Sequence, residues 1–157
     1  MADFYELTLT LDLRDELSEG EAAELRWHLG LGPAPEVPGI VTAFPVCVEG
    51  PDGEPVAGDD PRPLLDGGGA AYRVGGALVS ALCRREGARP GGWALTSRQE
   101  IHPDAFDLVG DLLCWLAAKA ADRHRREDGG VVLGWTRFYE SSSAEPLVVR
   151  DGAVGWP

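Results

Sequence analysis

The sequence predicts a single α+β domain built on an antiparallel sheet, and three observations carry that expectation. Residues 4–13 alternate without a break, with Tyr5, Leu7, Leu9, Leu11 and Leu13 against Glu6, Thr8, Thr10 and Asp12. That is the period of a strand with one face on a core and the other facing something polar. Two segments, one starting at Ser18 and one at His102-Pro103, carry helix start signals followed by apolar residues at helical spacing. Strand-length apolar runs separated by Gly, Pro and Asp fill most of the remainder. At 157 residues and 16.7 kDa the chain suits one domain, 1–157, large enough to bury a core without disulfides or a structural metal.

The elements follow in order. Leu17-Ser18-Glu19-Gly20-Glu21 reads as a capping box, with Ser18 as N-cap and Glu21 at N3. Its helix runs through Ala22, Leu25 and Leu29 and stops at Gly30-Leu31-Gly32-Pro33. Residues 31–71 form an acidic insertion holding most of the chain's 12 prolines. Within it Ile40 to Glu49 is predicted as a strand, Gly50-Pro51-Asp52-Gly53 as a turn and the rest as surface loop. Residues 71–86 fit helix or strand by periodicity. Gly75-Gly76 would cost a helix about 2 kcal/mol relative to Ala, so a long strand bent at the glycines is expected. A turn over Gly87–Gly92 leads to a second strand, Trp93 to Ile101.

Pro103 then opens a helix at N1, with Phe106, Val109, Leu113, Leu116, Ala117 and Ala120 as its apolar stripe. Its charges follow the macrodipole, Asp104, Asp107 and Asp111 early and Lys119, Arg123, Arg125 and Arg126 late. Residues 131–140 are apolar on both faces and so internal to the sheet. Leu147 to Trp156 make a hairpin on the two-residue turn Asp151-Gly152. Without the insertion and this hairpin the order is β-α-β-β-α-β, the ferredoxin-like arrangement, with two helices on one face of an antiparallel sheet. That topology sets Glu6, Thr8, Thr10 and Asp12 beside Ala94, Thr96, Arg98 and Glu100 on the open face.

Composition limits what the chain does. It has 26 acidic and 14 basic side chains, a formal charge of −12, 44% apolar residues and a mean hydropathy of −0.13. A chain this acidic lacks the basic footprint of a nucleic-acid binder. No stretch approaches the roughly 20 apolar residues of a membrane span, and the N-terminus lacks the pattern of a signal peptide. Cys47, Cys83 and Cys114 form no C-x-x-C pair, so buried free thiols in a reducing cytoplasm are expected. Of the three, only Cys83, followed by Arg84 and Arg85, has an electropositive setting.

No catalytic, phosphate-binding or metal-ligand motif is present, so no catalytic residue, metal or cofactor is expected. Gly67-Gly68-Gly69 lacks the Lys-Ser/Thr and helix of a phosphate cradle and reads as a flexible joint. His28 and His124 sit near helix C-termini, where an imidazolium is mildly favoured. His102 stands where a strand hands over to a helix, as a cap or as a general base. The best polar constellation joins Arg98, Glu100 and His102 with Arg137 and Tyr139 from the later strand. Arg98 or Arg137 would take the carboxylate of a small anionic or zwitterionic ligand, with Trp93 or Trp135 as an aromatic wall. The alternative is a solvated face with cross-strand ion pairs, such as Glu6 or Asp12 with Arg98. Trp115 and Trp156, if exposed, would mark a contact surface.

At Leu25-Arg26-Trp27-His28-Leu29-Gly30, Gly92-Trp93-Ala94-Leu95-Thr96-Ser97-Arg98-Gln99-Glu100 and Gly134-Trp135-Thr136-Arg137-Phe138-Tyr139-Glu140 the chain resembles short uncharacterised proteins of actinobacteria. The resemblance spans nearly the whole length and agrees with a composition of 13 Arg against the single Lys119. It implies no activity and no catalytic residues.

Three functions remain open. The first is a cytoplasmic, non-enzymatic binding domain acting through an open sheet face, most simply as a homodimer. The second is a small-molecule enzyme or ligand carrier with a pocket between that face and the 31–71 insertion. The third is an acidic protein of immunity type that meets a basic protein partner. The charge is unevenly spread: residues 1–71 hold 15 acids and 3 arginines, whereas residues 72–101 hold five arginines and two glutamates.

Overall fold

Strand β1 (Tyr5–Leu13) organises the molecule, which is a computed structural model describing residues 3–87 and 91–157. Leu7, Leu9, Leu11 and Leu13 are all buried, so the alternation in the sequence becomes a leucine row on the core. After it come helix α1 (Glu19–His28), strands β2 (Pro45–Glu49), β3 (Pro55–Asp59), β4 (Gly69–Ala70), β5 (Ala77–Arg84) and β6 (Trp93–Ile101), and helix α2 (Phe106–Lys119). Strands β7 (Val131–Phe138), β8 (Glu145–Arg150) and β9 (Ala153–Val154) complete the chain. Among the described residues, seven strands form one antiparallel sheet in the order β4-β5-β6-β1-β7-β8-β9. The fold is α+β, a large antiparallel sheet with two helices. Both helices send their buried side chains, including Leu25, Trp27, Leu112, Leu113 and Leu116, into the cluster that holds the leucine row.

The helix ends are local chemistry. Ser18 accepts from the backbone N–H of Glu21 (3.0 Å), and the Glu21 carboxylate accepts from that of Ser18 (3.1 Å). At the other end Leu31 N–H donates to Arg26 O and Gly30 N–H to Trp27 O, with Gly30 at φ 72°. That is a Schellman stop. Helix α2 ends a turn before its run of arginines: Ala120 turns extended and pairs with Leu13, and Arg14 N–H donates to Lys119 O. Residues Asp122–His124 form a separate 3-10 turn beside the end of β1. The late charges Arg123, Arg125 and Arg126 therefore lie outside the helix.

The insertion departs most from expectation. Its strand begins at Pro45, not at Ile40, because the backbone N–H groups of Gly39, Ile40 and Val41 are taken by the Glu24 carboxylate. It pairs with a strand that was expected to be loop, β3, in a two-stranded hairpin that leaves Val48 and Val56 exposed. The insertion also feeds the core, through buried Val41, Phe44 and Leu65. Gly67 is not a joint: Gln99 donates to its carbonyl (3.1 Å) and accepts from its N–H (2.8 Å). The 71–86 strand is shorter than expected. Residues 71–76 form a turn, with Gly75 and Gly76 at positive φ; Ala77 and Leu78 pair with β4, and Val79–Arg84 with β6. Within the Gly87–Gly92 turn, Ala88, Arg89 and Pro90 lie outside the described residues.

A bulge between Val132 and Gly134 re-aims β7 so that Leu133 is buried while Trp135 faces outward. Gly134 is required there, since a Cβ would lie 1.8 Å from the Thr8 carbonyl oxygen. Asp151 (φ 52°) and Gly152 (φ 73°) make the expected two-residue turn between β8 and β9.

Candidate functional site

The sheet face opposite the core is uncovered and has two charged ends and a neutral middle. Register places Glu6 opposite both Glu100 and Arg137, and Thr8 opposite both Arg98 and Trp135. At this first end the Glu6 carboxylate accepts from Arg137 (2.8 Å) and Arg98 (3.2 Å). Burial pushes the Glu6 carboxyl up, but the hydrogen bonds and charges of the two guanidiniums outweigh it and hold the group below its ordinary value.

The sequence-predicted site residues thus partly converge. Arg98, Glu100 and Arg137 meet around Glu6 and the 71–76 turn, but their polar capacity is already used. Arg98 also donates to Gly75 O and Ala77 O, and Arg137 to the carbonyls of Phe138, Tyr139, Ser141 and Val74. Glu100 accepts from the backbone N–H groups of Tyr72, Arg73 and Val74. His102 is a cap, its Nδ1 accepting from Asp104 N–H at 3.1 Å. The Tyr139 phenol is pushed up by its hydrogen bond to Glu140, and its backbone N–H donates to Phe4 O. Of the two candidate walls, Trp135 shares the open face with Arg98 and Arg137. Trp93 lies on the core side at the far end of β6, buried, with Arg84 and Arg26 over its ring.

The middle of the face is neutral: Thr8, Thr10, Thr96, Ala81, Val79, Cys83 and Trp135. Val79 is 55% and Trp135 47% exposed. Trp115 and Trp156, which would mark a contact surface if exposed, pack against the core, with Trp156 stacked on Phe106 at 4.1 Å. Cys47 and Cys83 are exposed free thiols rather than buried ones, because the β2 side chains are largely exposed and Cys83, next to buried Leu82, alternates onto the open face.

No family model, curated protein or solved structure matches the chain.

The second end of the face holds a cavity of about 550 Å³, lined by Asp12, Leu13, Arg14, Arg85, Asp122 and Arg123 among others. Here the Asp12 carboxylate lies between Arg85 (2.5 Å) and Arg123. The ion pair expected between Arg98 and either Glu6 or Asp12 is therefore made by Glu6. The Asp12 backbone N–H donates to His124 Nε2 (3.0 Å), which fixes the neutral imidazole with its proton on Nδ1. Burial and the neighbouring Arg123 charge both push this imidazole down from its ordinary value. From the sequence Arg85 figures only in the setting of Cys83 and Arg123 only as a late helix charge, neither as a site residue. The signal available for them was the reversal of charge at Arg84-Arg85 and Arg123–Arg126 within an acidic chain.

Among the described residues no group of three or more His, Cys, Asp or Glu side chains is placed to share a metal ion. No helix among them is long and apolar enough to cross a membrane.

Proposed function

We propose that this chain is a non-enzymatic binding domain whose open sheet face pairs with the same face of a second copy. One observation carries the reading: the middle of the open sheet face exposes Trp135 and Val79, flanked by Glu6 paired with Arg98 and Arg137 under the 71–76 turn and by Asp12 paired with Arg85. Desolvating such a face costs little, because no unpaired charge sits in its middle. A charged partner would find no opposite charge there to answer. The face matches itself, as an isologous two-fold contact requires. The five strands β5, β6, β1, β7 and β8, of six to nine residues, span about 26 by 24 Å, or about 600 Å² per copy. Two copies would bury about 1,200 Å², at the lower edge of the standard interface range.

The reading extends to the frame that carries the face. We take β1-α1-β5-β6-α2-β7 as a ferredoxin-like split βαβ core, supported by the order β5-β6-β1-β7 and its antiparallel pairing. A reducing cytoplasm suits the exposed free thiols Cys47 and Cys83. Light scattering at high micromolar concentration tests the pairing, with an expected mass twice 16.7 kDa. A single-chain mass under those conditions defeats it.

A second reading, a basic protein partner, rests on the β2–β3 hairpin. It carries Glu49, Asp52, Glu54 and Asp59, no cation, and exposed Val48 and Val56. Salt-sensitive binding to a basic protein that is lost on removing residues 48–56 would favour it.

A further inference from the structure

The cavity at the far end of β1 has the marks of a ligand site that the first end of the face lacks. At the first end Arg98 makes three hydrogen bonds and Arg137 five, so neither guanidinium is free to recognise anything. At the second end Arg85 makes one hydrogen bond, to Asp12, and Arg123 contacts only Asp12 among the described residues. A guanidinium has five N–H donors, so most of the donor capacity of both arginines, which line the cavity, is unused. Asp12 holds them in place. It is itself anchored through its backbone by His124 (3.0 Å) and by the hydrogen bond from Ala121 N–H to its carbonyl (2.8 Å).

The charges around the cavity decide what would fit. Asp15 pairs with Arg84 (2.7 Å) and Glu16 with Arg14 (3.3 Å), which leaves Arg85, Arg123, Asp12 and Asp122. Among the described residues Asp122 has no side-chain partner, and it lies on the cavity wall beside Arg123. Two cations and two anions balance. A ligand with a single kind of charge would leave one side of the cavity opposed to it, whereas one with a carboxylate and an ammonium group answers both. The volume of about 550 Å³ lies within the usual range of small-molecule sites, roughly 300–1,000 Å³.

We propose that this cavity binds a small zwitterion of the amino-acid class. Its carboxylate meets the free N–H groups of Arg85 and Arg123, and its ammonium group faces Asp122. Asp12 is a positioning residue that holds both guanidiniums, and the site does not depend on pairing between copies.

The test is a thermal-shift and calorimetric series on the full chain. The probes are the common α-amino acids offered singly, glycylglycine, succinate as a carboxylate-only probe, and 1,4-diaminobutane as an ammonium-only probe. The expected result is a saturable rise in melting temperature with at least one zwitterion, and succinate and the diamine each at least tenfold weaker. Arg123 and Asp122 are exposed, so Arg123→Gln and Asp122→Asn should fold normally. Each should weaken zwitterion binding at least tenfold. Succinate binding as tightly as the best zwitterion overturns the zwitterion assignment. Unchanged binding in both variants overturns the placement, and no saturable response to any probe overturns the site.

Discussion

Glu24 and Glu100 make the same contact at the two ends of the Pro/Gly-rich insertion. Each carboxylate accepts from three consecutive backbone N–H groups, those of Gly39, Ile40 and Val41 for Glu24 and those of Tyr72, Arg73 and Val74 for Glu100. A segment with few ladder hydrogen bonds of its own is clipped at both ends by carboxylates from the regular elements, Glu24 on α1 and Glu100 on β6. Leu65 N–H donating to His28 O, and Gln99 bonding both ways to Gly67, add fixings between them.

The two clips differ in burial, and so in expected cost. Glu24 is 3% exposed, and removing it strands N–H groups away from water. The groups held by Glu100 lie near the surface and can turn to solvent. Glu24→Ala should lower stability by about 3 kcal/mol and Glu100→Ala by about 1 kcal/mol. Urea unfolding of the two variants measures both, and equal losses would contradict the assignment.

Gly134 carries the bulge that turns Trp135 outward. With φ at 153° and the Thr8 carbonyl oxygen 1.8 Å from a would-be Cβ, Gly134→Ala must push β7 from β1. A loss of about 3 kcal/mol or more follows, read as a fall in melting temperature of several degrees. A variant as stable as the parent would show that the bulge is not needed.

Stability should fall on mild acidification. His28 is fully buried against Phe44 and Trp27, and neither ring nitrogen has a hydrogen-bond partner among the described residues. Burial pushes the imidazole down from 6.5, and Glu24 at 3.6 Å offsets this only in part. The helix terminus does not keep it charged. A base whose pKa is lower folded than unfolded binds protons preferentially when unfolded. Its contribution is complete above the unfolded value and is lost as pH falls through 6.5 toward the folded value. His124 acts in the same direction. Urea midpoints should therefore drop between pH 7.5 and 5.5, less steeply in His28→Gln, and an unchanged midpoint in the parent contradicts the reading. Glu6 works in a separate window: its folded value lies below 4.5, so its contribution disappears only as pH falls below that value.

What the sequence revealed and what it hid divide along the range of the interactions. The alternation of residues 4–13, the Ser18–Glu21 box, the Trp93–Ile101 strand and the Asp151-Gly152 turn are set by neighbours in the chain, and each was legible. The carboxylate clips have no spacing to read, because Glu24 and Glu100 bond to backbone N–H groups, which every non-proline residue carries. The same blindness affected the site. Arg98 and Arg137 admit two sequence readings, a carboxylate-binding role or cross-strand ion pairs; the pair with Glu6 forms, and the loop carbonyls that fill the remaining donors carry no sequence signal. Arg123 was read as a helix C-terminal charge, and the pairing of Ala120 with Leu13 instead carries it to Asp12. The outward turn of Trp135 depends on a bulge, which a run apolar on both faces conceals.

Pairing through the open face is tested most directly by sedimentation velocity of the parent beside Trp135→Arg. Trp135 is exposed on the uncovered face, so this variant should fold with unchanged circular dichroism. Loss of a central aromatic anchor and burial of a charge should weaken a two-fold contact at least about tenfold. The account predicts a two-chain species for the parent at micromolar concentration and a single-chain species for the variant. A parent that sediments as one chain, or a variant that still sediments as two, would contradict it.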